Sequence, residues 1–306
     1  MLPGPFEEAR MLSSSDFSDF FYTASDGLRL HARVYGKAIA DPFPIVCLAG
    51  LTRNARDFHD LALYLSHRAR PRRKVIAFDY RGRGQSSYDH NWQNYNIATE
   101  TDDILTGLSA LEVDRAAFIG TSRGGLVIHL LAAMRPSLLQ AAVLNDIGPV
   151  IEGDGLAHIR AYLENAPKPR DLDHAVTIQR AVHGQAFSAL READWLRFVS
   201  AIYREDEGRP VTDFDPALLK TMSDMDFSEP LPDLWPQFDG LLQIPLLVIR
   251  GENSKLLSAE TLEEMLRRHP AARAIVVPGQ GHAPLLETGD LPRQIARFLN
   301  HAALKA

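Results

Sequence analysis

Short apolar runs alternate along this chain with longer segments whose apolar residues recur at three- and four-residue spacing. "LRLHARVYG" (28–36) alternates apolar and polar positions and predicts an antiparallel strand. "PIVCLAG" (44–50) and "KVIAFDYRG" (74–82) are apolar on both faces, as buried central strands are. Helical spacing marks 57–68 and 98–113. A strand at 116–120 leads directly into a helix at 122–136, and a further strand follows at 141–146. From Gly148 to Gly240 the rhythm breaks. "GLAHIRAYLEN", "DHAVTIQRAVHGQAF" and "READWLRFVSAIYRE" all carry helical periodicity, no strand is predicted, and Pro230, Pro232 and Pro236 close the block. Alternation then resumes with a strand (245–251), a helix (258–270) opened by Ser258, a strand (273–279) and a closing helix (291–304). No internal repeat or low-complexity tract interrupts the pattern.

Strand–helix–strand alternation predicts an α/β fold with a mostly parallel sheet of about eight strands covered by helices on both faces. The expected division is a core of residues 1–147 and 241–306, with a helical insertion of residues 148–240 after the sixth strand. Ligands of such sheets sit at the carboxyl ends of the strands. An insertion there would roof the ligand site.

Composition narrows the class. Of 306 residues, 45% are hydrophobic and 24% charged, as in ordinary globular chains. A net charge of −6 argues against a nucleic-acid partner. The basic run "RARPRRK" (68–74) is expected to be a solvated loop. Cys47 is the single cysteine, which rules out an internal disulfide and a cysteine-built metal site and predicts a buried core residue. The opening "MLPGPFEEARMLSSS" lacks the pattern of a secretory signal, and no window is apolar for long enough to span a membrane. The expectation is a cytoplasmic monomer or homodimer acting on a small molecule.

The junction at 120–124 carries the chemistry. Gly120-Thr121-Ser122-Arg123-Gly124 fits G-x-S-x-G between a strand and a helix, the context of a nucleophile elbow. The turn is tight enough that residues two either side of the serine must be small. It lifts the hydroxyl to a helix N-terminus, where exposed N–H groups favour negative charge. The alternative is that Ser122 only caps the helix. A serine hydroxyl needs a base. His282, in the Gly-rich loop "VVPGQGHAPLLE" after the last strand, is the candidate. His31, His67, His129 and His269 fall within regular elements and are expected to be structural. Two backbone N–H donors would hold a developing oxyanion: Arg123, directly after the serine, and Leu51, in the loop after the first central strand.

Together "LAGLTRN", "DYRGRGQS" (79–86), "GTSRGG" and "GHAPLLE" resemble the α/β-hydrolase superfamily from about residue 20 onward. The insertion then resembles its cap domain. Ala49 stands where many members carry histidine, a departure that leaves the backbone donors intact. The third member of the triad departs further. Members usually place an acid three residues past the glycine ending the strand before the last, and Gly251 plus three is Ser254. Glu252 is one alternative. Asp146 is the other and the preferred one; it lies 24 residues after Ser122, an arrangement resembling that of some haloalkane dehalogenases. Such an acid would orient His282 and stabilise its charged form.

Arg53 and Arg123 are candidates for binding a substrate carboxylate, or else form salt bridges between elements. Trp195, Phe198, Tyr203 and Trp235 line either the underside of the insertion or its own core. The resemblance implies a serine hydrolase of small carboxylic esters or lactones that uses no metal or cofactor. Carbon–carbon bond, amide and thioester hydrolases share the scaffold, and a non-catalytic receptor built on it is a different class of outcome.

Overall fold

The computed structural model describes residues 16–37, 43–223, 226 and 231–304. The opening segment read for a signal, and Pro230, lie outside the described residues. Eight strands form one sheet in the order β1-β2-β4-β3-β5-β6-β9-β10. They are β1 (Phe17–Thr23), β2 (Arg29–Tyr35), β3 (Ile45–Leu48), β4 (Val75–Asp79), β5 (Ala116–Thr121), β6 (Leu139–Asn145), β9 (Leu246–Gly251) and β10 (Arg273–Val277). β2 runs antiparallel to both of its neighbours, β1 and β4, and the remaining pairs are parallel.

Alternation on the strands builds two cores. On one face Val46, Leu48, Phe78 and Phe118 pack under α2 (Ile97–Ala110), α3 (Arg123–Met134) and α9 (Ala259–Arg268). On the other, Ile45, Cys47, Ala77 and Ile119 pack under α1 (His59–Leu63) and α10 (Leu291–Ala303), through Leu61, Ile295, Phe298 and Leu299. Each fully buried aliphatic side chain contributes roughly 1.5–3 kcal/mol, so the double-sided central strands are the main stabilising element. Asn96 and Ser258 cap α2 and α9 by accepting the N–H groups of Thr99 and Thr261. The basic run is not wholly solvated. Arg73 is buried, with its guanidinium donating to the carbonyls of Phe43 and Leu299 at the end of α10.

Between β6 and β9 the chain leaves the sheet as α4 (Gly153–Asn165), α5 (Leu172–His183) and α6 (Glu192–Ile202), and two short helices, α7 (Lys220–Ser223) and α8 (Trp235–Asp239), follow later. The expectation that this stretch holds no strand is corrected: β7 (Tyr203–Asp206) and β8 (Arg209–Thr212) pair as a hairpin. Helical periodicity ends at Ile202. Glu207 and Gly208 both take positive φ, 47° and 77°, which supplies the tight two-residue turn. Leu172, Val176, Phe187, Trp195, Val199 and Tyr203 give the excursion its own small core. Its last turn, α8, packs instead against the main core through Phe238.

The excursion is tied down at the end of α6. Arg56 donates to the carbonyls of Ser200, Ala201 and Tyr203 and pairs with Asp213 at 2.6 Å. A cation at a helix C-terminus satisfies carbonyls that lack partners within the helix. Asn54, buried beside it, donates to the carbonyl of Ala201 as well.

Glycine is required where β5 turns into α3. A Cβ at Gly124 would stand 2.1 Å from the Leu48 carbonyl oxygen, and one at Gly120 would stand 2.5 Å from the Gly124 carbonyl carbon. We expect Gly124→Ala to cost about 3 kcal/mol or more in urea unfolding, because backbone must move. Gly289→Ala, with nothing within 4 Å, should cost about 1 kcal/mol for its positive φ alone. Equal losses would contradict the close approach.

Candidate active site

Ser122 adopts φ 52° and ψ −115° between β5 and α3. A positive φ is uncommon for a residue with a Cβ and marks stored strain. Its side chain makes no capping bond to the helix, so the hydroxyl is free of the cap role. It meets His282 instead, at 2.9 Å from Nε2. On the far side of the ring, Nδ1 lies 2.8 Å from Oδ2 of Asp146.

Asp146 follows β6 and also takes a positive φ, 56°. It is fully buried, and its carboxylate accepts the Gly251 N–H at 2.8 Å and the Ser254 hydroxyl at 2.6 Å. A carboxylate so engaged offers only acceptors to the ring. His282 Nδ1 therefore carries the hydrogen, and Nε2 presents a lone pair to the Ser122 hydroxyl. Glu252 is exposed and turned away, accepting the N–H of Gly279 at 2.8 Å. Ser254, which stands three residues past Gly251, hands its hydroxyl to the acid that β6 provides.

Two residues that hold this row together carry no sequence signal. Asn145, buried, donates to Thr121 Oγ1 and to the carbonyl of Pro284, joining the elbow to the histidine loop. Gln280 staples that loop by bonding Thr288 and the N–H of Leu285.

Arg123 begins α3, where a backbone N–H lacks a partner within the helix. A Cβ at Gly50 would stand 3.9 Å from Ser122 Cβ and 3.4 Å from Arg53 Cγ, so the loop carrying Leu51 runs beside the serine.

The side chains proposed for substrate contact are already engaged. Arg123 donates to Glu100 at 2.6 Å and to the Tyr95 carbonyl. Arg53 forks onto Asp57 and lies over the Phe198 ring at 4.8 Å. Both are salt bridges of the kind held open as the alternative. Trp195 belongs to the core of the excursion. Trp235 lies in neither of the expected places: it packs against the main core, meeting Phe238 edge-on under Arg268, and a Cβ at the nearby Gly240 would stand 3.4 Å from Ala132 Cβ, near the end of α3 away from Ser122. The helical pattern could not tell which end of α3 this turn would meet.

The loop after β4 is a buried charge network. Arg81 pairs with Asp103 at 2.7 Å and also with Asp26 and Asp89. Burial would raise the Asp79 carboxyl, but His31 and the N–H groups of Ala55 and Gln85 outweigh it and hold it below its ordinary range. Within the excursion, burial pushes His183 down to about 4, assisted by His158 and Arg53.

Residues 44–288 match the alpha/beta hydrolase fold family. The chain belongs to that family. It is 29% identical over 269 residues to a 3-hydroxybutyrate-oligomer hydrolase of Cupriavidus necator, covering 84% of this chain and 87% of that one. It is 28% identical to the esterase YbfF of Escherichia coli, over 74% of this chain and 82% of that one. An alpha/beta hydrolase structure from Novosphingobium aromaticivorans superposes with a TM-score of 0.84 at 36% identity, covering 94% of this chain and 99% of that one. These relatives are hydrolases, which supports a hydrolase here. Among the described residues no helix is long and apolar enough to cross a membrane.

Glu287, five residues past His282, is pushed up to about 7, first by burial and then by Asp57 and Asp60. A raised acid lets the folded state hold a proton that the unfolded chain has lost. Its contribution to stability therefore falls as pH rises from the ordinary glutamate range toward 7. Glu287→Gln should raise Tm relative to the parent at about pH 8 and leave it nearly unchanged at about pH 4. Thermal unfolding at both values checks this, and equal shifts at both would contradict it.

Proposed function

We propose that the protein is a serine hydrolase of small carboxylic esters or lactones working through an acyl-enzyme. The observation that carries this reading is the unbroken row from the Ser122 hydroxyl through His282 to the buried carboxylate of Asp146, at 2.9 and 2.8 Å. Hydrogen-bond reach to a base, with the base held by a third group, is what activates a serine.

In the proposed reaction Ser122 Oγ attacks the ester carbonyl carbon as its proton passes to His282 Nε2. Asp146 stabilises the imidazolium by accepting from Nδ1–H. The carbonyl oxygen becomes an oxyanion held by the N–H groups of Leu51 and Arg123. As the tetrahedral intermediate collapses, the C–O bond to the alcohol breaks and His282 returns the proton to the departing oxygen. Water then adds to the acyl-enzyme with His282 as base, and the acid leaves Ser122 free. Residues between β6 and β9 serve as the cap that bounds the acyl pocket. One relative is an esterase and another a 3-hydroxybutyrate-oligomer hydrolase, which supports an ester substrate.

Hydrolysis of p-nitrophenyl esters of increasing chain length, alongside lactones, tests the reading. Ser122→Ala should abolish turnover and labelling by a fluorophosphonate. Asp146→Asn should lower kcat by on the order of 10,000-fold, as loss of the orienting acid does elsewhere. Glu252→Gln should stay within about threefold of the parent, far below the effect of losing a group that acts in the transition state. No labelling of the parent at neutral pH would instead favour a receptor, and full activity of Asp146→Asn would remove it from the relay.

A further inference from the structure

We propose that Glu100 is a positioning residue that holds both oxyanion donors in register through two arginines; this rests on the acyl-transfer reading above. Glu100 lies on the first turn of α2, fully buried, and no feature of the sequence pattern marks it. One of its oxygens accepts Arg83 Nη1 at 2.8 Å, and Arg83 Nε donates in turn to the Leu51 carbonyl at 2.9 Å. Its other oxygen accepts Arg123 Nε at 2.6 Å. One carboxylate therefore reaches the Leu51 backbone on one side and the Arg123 residue on the other. These are the two residues whose N–H groups must converge on a single oxygen.

The geometry is rigid. Arg83 also donates to the carbonyl of Arg81, and its guanidinium sits 5.5 Å from the Tyr95 ring centre and 5.6 Å from that of Tyr80. Arg123 Nη2 donates to the Tyr95 carbonyl at 3.0 Å. Holding the Leu51 carbonyl fixes the peptide plane between Leu51 and Thr52, so that only φ and ψ of Leu51 separate this anchored plane from the one that carries its N–H. Arg83, Glu100 and Arg123 together carry two cations and one anion, all but the edge of Arg123 buried. Arg83 Nη2 has no partner among the described residues. Packed apolar residues would fill this volume at lower desolvation cost. A purely structural role therefore explains the cluster poorly, whereas aiming N–H donors at a developing charge uses both its geometry and its excess positive charge.

The test is a set of variants: Arg123→Met, Arg123→Lys and Glu100→Gln. Each is assayed with a p-nitrophenyl ester and with a trifluoromethyl ketone, which adds to the serine as a tetrahedral oxyanion. We expect Arg123→Met and Glu100→Gln to lower kcat by on the order of 10–100-fold, with KM within about twofold. Ketone affinity should fall in parallel with kcat/KM. Arg123→Lys should recover part of the loss. Glu100→Gln leaves the cluster more positive, so retained activity in that variant would assign the effect to charge and overturn positioning. If Glu100→Gln does not fold, the Arg123 pair decides, because Glu100 keeps Arg83 there. Unchanged kcat and ketone affinity in Arg123→Met, with fluorophosphonate labelling of Ser122 intact, would overturn the inference alone. A parent protein that fails to label would overturn the acyl-transfer reading with it.

Discussion

At the end of β5 three backbones approach so closely that no side chain fits between them. Gly124 lies against the carbonyl of Leu48, and Gly120 lies against Gly124. This contact makes the strained backbone of Ser122 a consequence of packing rather than an isolated defect. The strand and helix on either side are buried in the main core, so relaxing the serine would mean separating them. Close packing of such interiors leaves no room for that adjustment. The hydroxyl is thereby held outside the sheet, at a helix start where negative charge is favoured.

The same logic governs the acid. Asp146 is stable as a buried acceptor because Gly251, Ser254 and His282 each direct a hydrogen at it. Those three partners come from β9, from the turn after it and from the loop after β10. Each loop is fixed separately: Asn145 and Gln280 hold the histidine loop, and Gly251 permits the close approach of Gly281. An unpaired carboxylate at this depth would be strongly unfavourable, so the row is cooperative.

The excursion above the sheet is bound at one end more firmly than its loops suggest. Arg56 and Asn54 grip the carboxyl end of α6, and Arg53 leans on Phe198 while paired with Asp57. The arginines of the "LTRNAR" segment thus serve the junction between core and excursion. Their charge is spent within the protein, which is why residue type alone misleads about substrate contact.

Local patterns were enough for the order of the central strands and helices, the glycine-flanked serine and the loop histidine. Those features depend on periods of two and 3.6 residues and on steric needs a few residues long. The insertion was visible as a change of period, though its hairpin was not, because four-residue strands carry too little alternation to register. The sequence preferred Asp146 as the partner of His282 without excluding Glu252: each follows the last residue of a strand, and only the order β6-β9-β10 sets the first against the ring while turning the second toward Gly279. The roles of Glu100, Arg83, Asn145 and Trp235 likewise waited on tertiary structure. Their deciding partners, Arg83 and Arg123 for Glu100, Leu51 for Arg83, Pro284 for Asn145 and Arg268 for Trp235, lie between 17 and 139 residues away, and no short-range pattern encodes a contact between charges or rings brought together only when the sheet is covered.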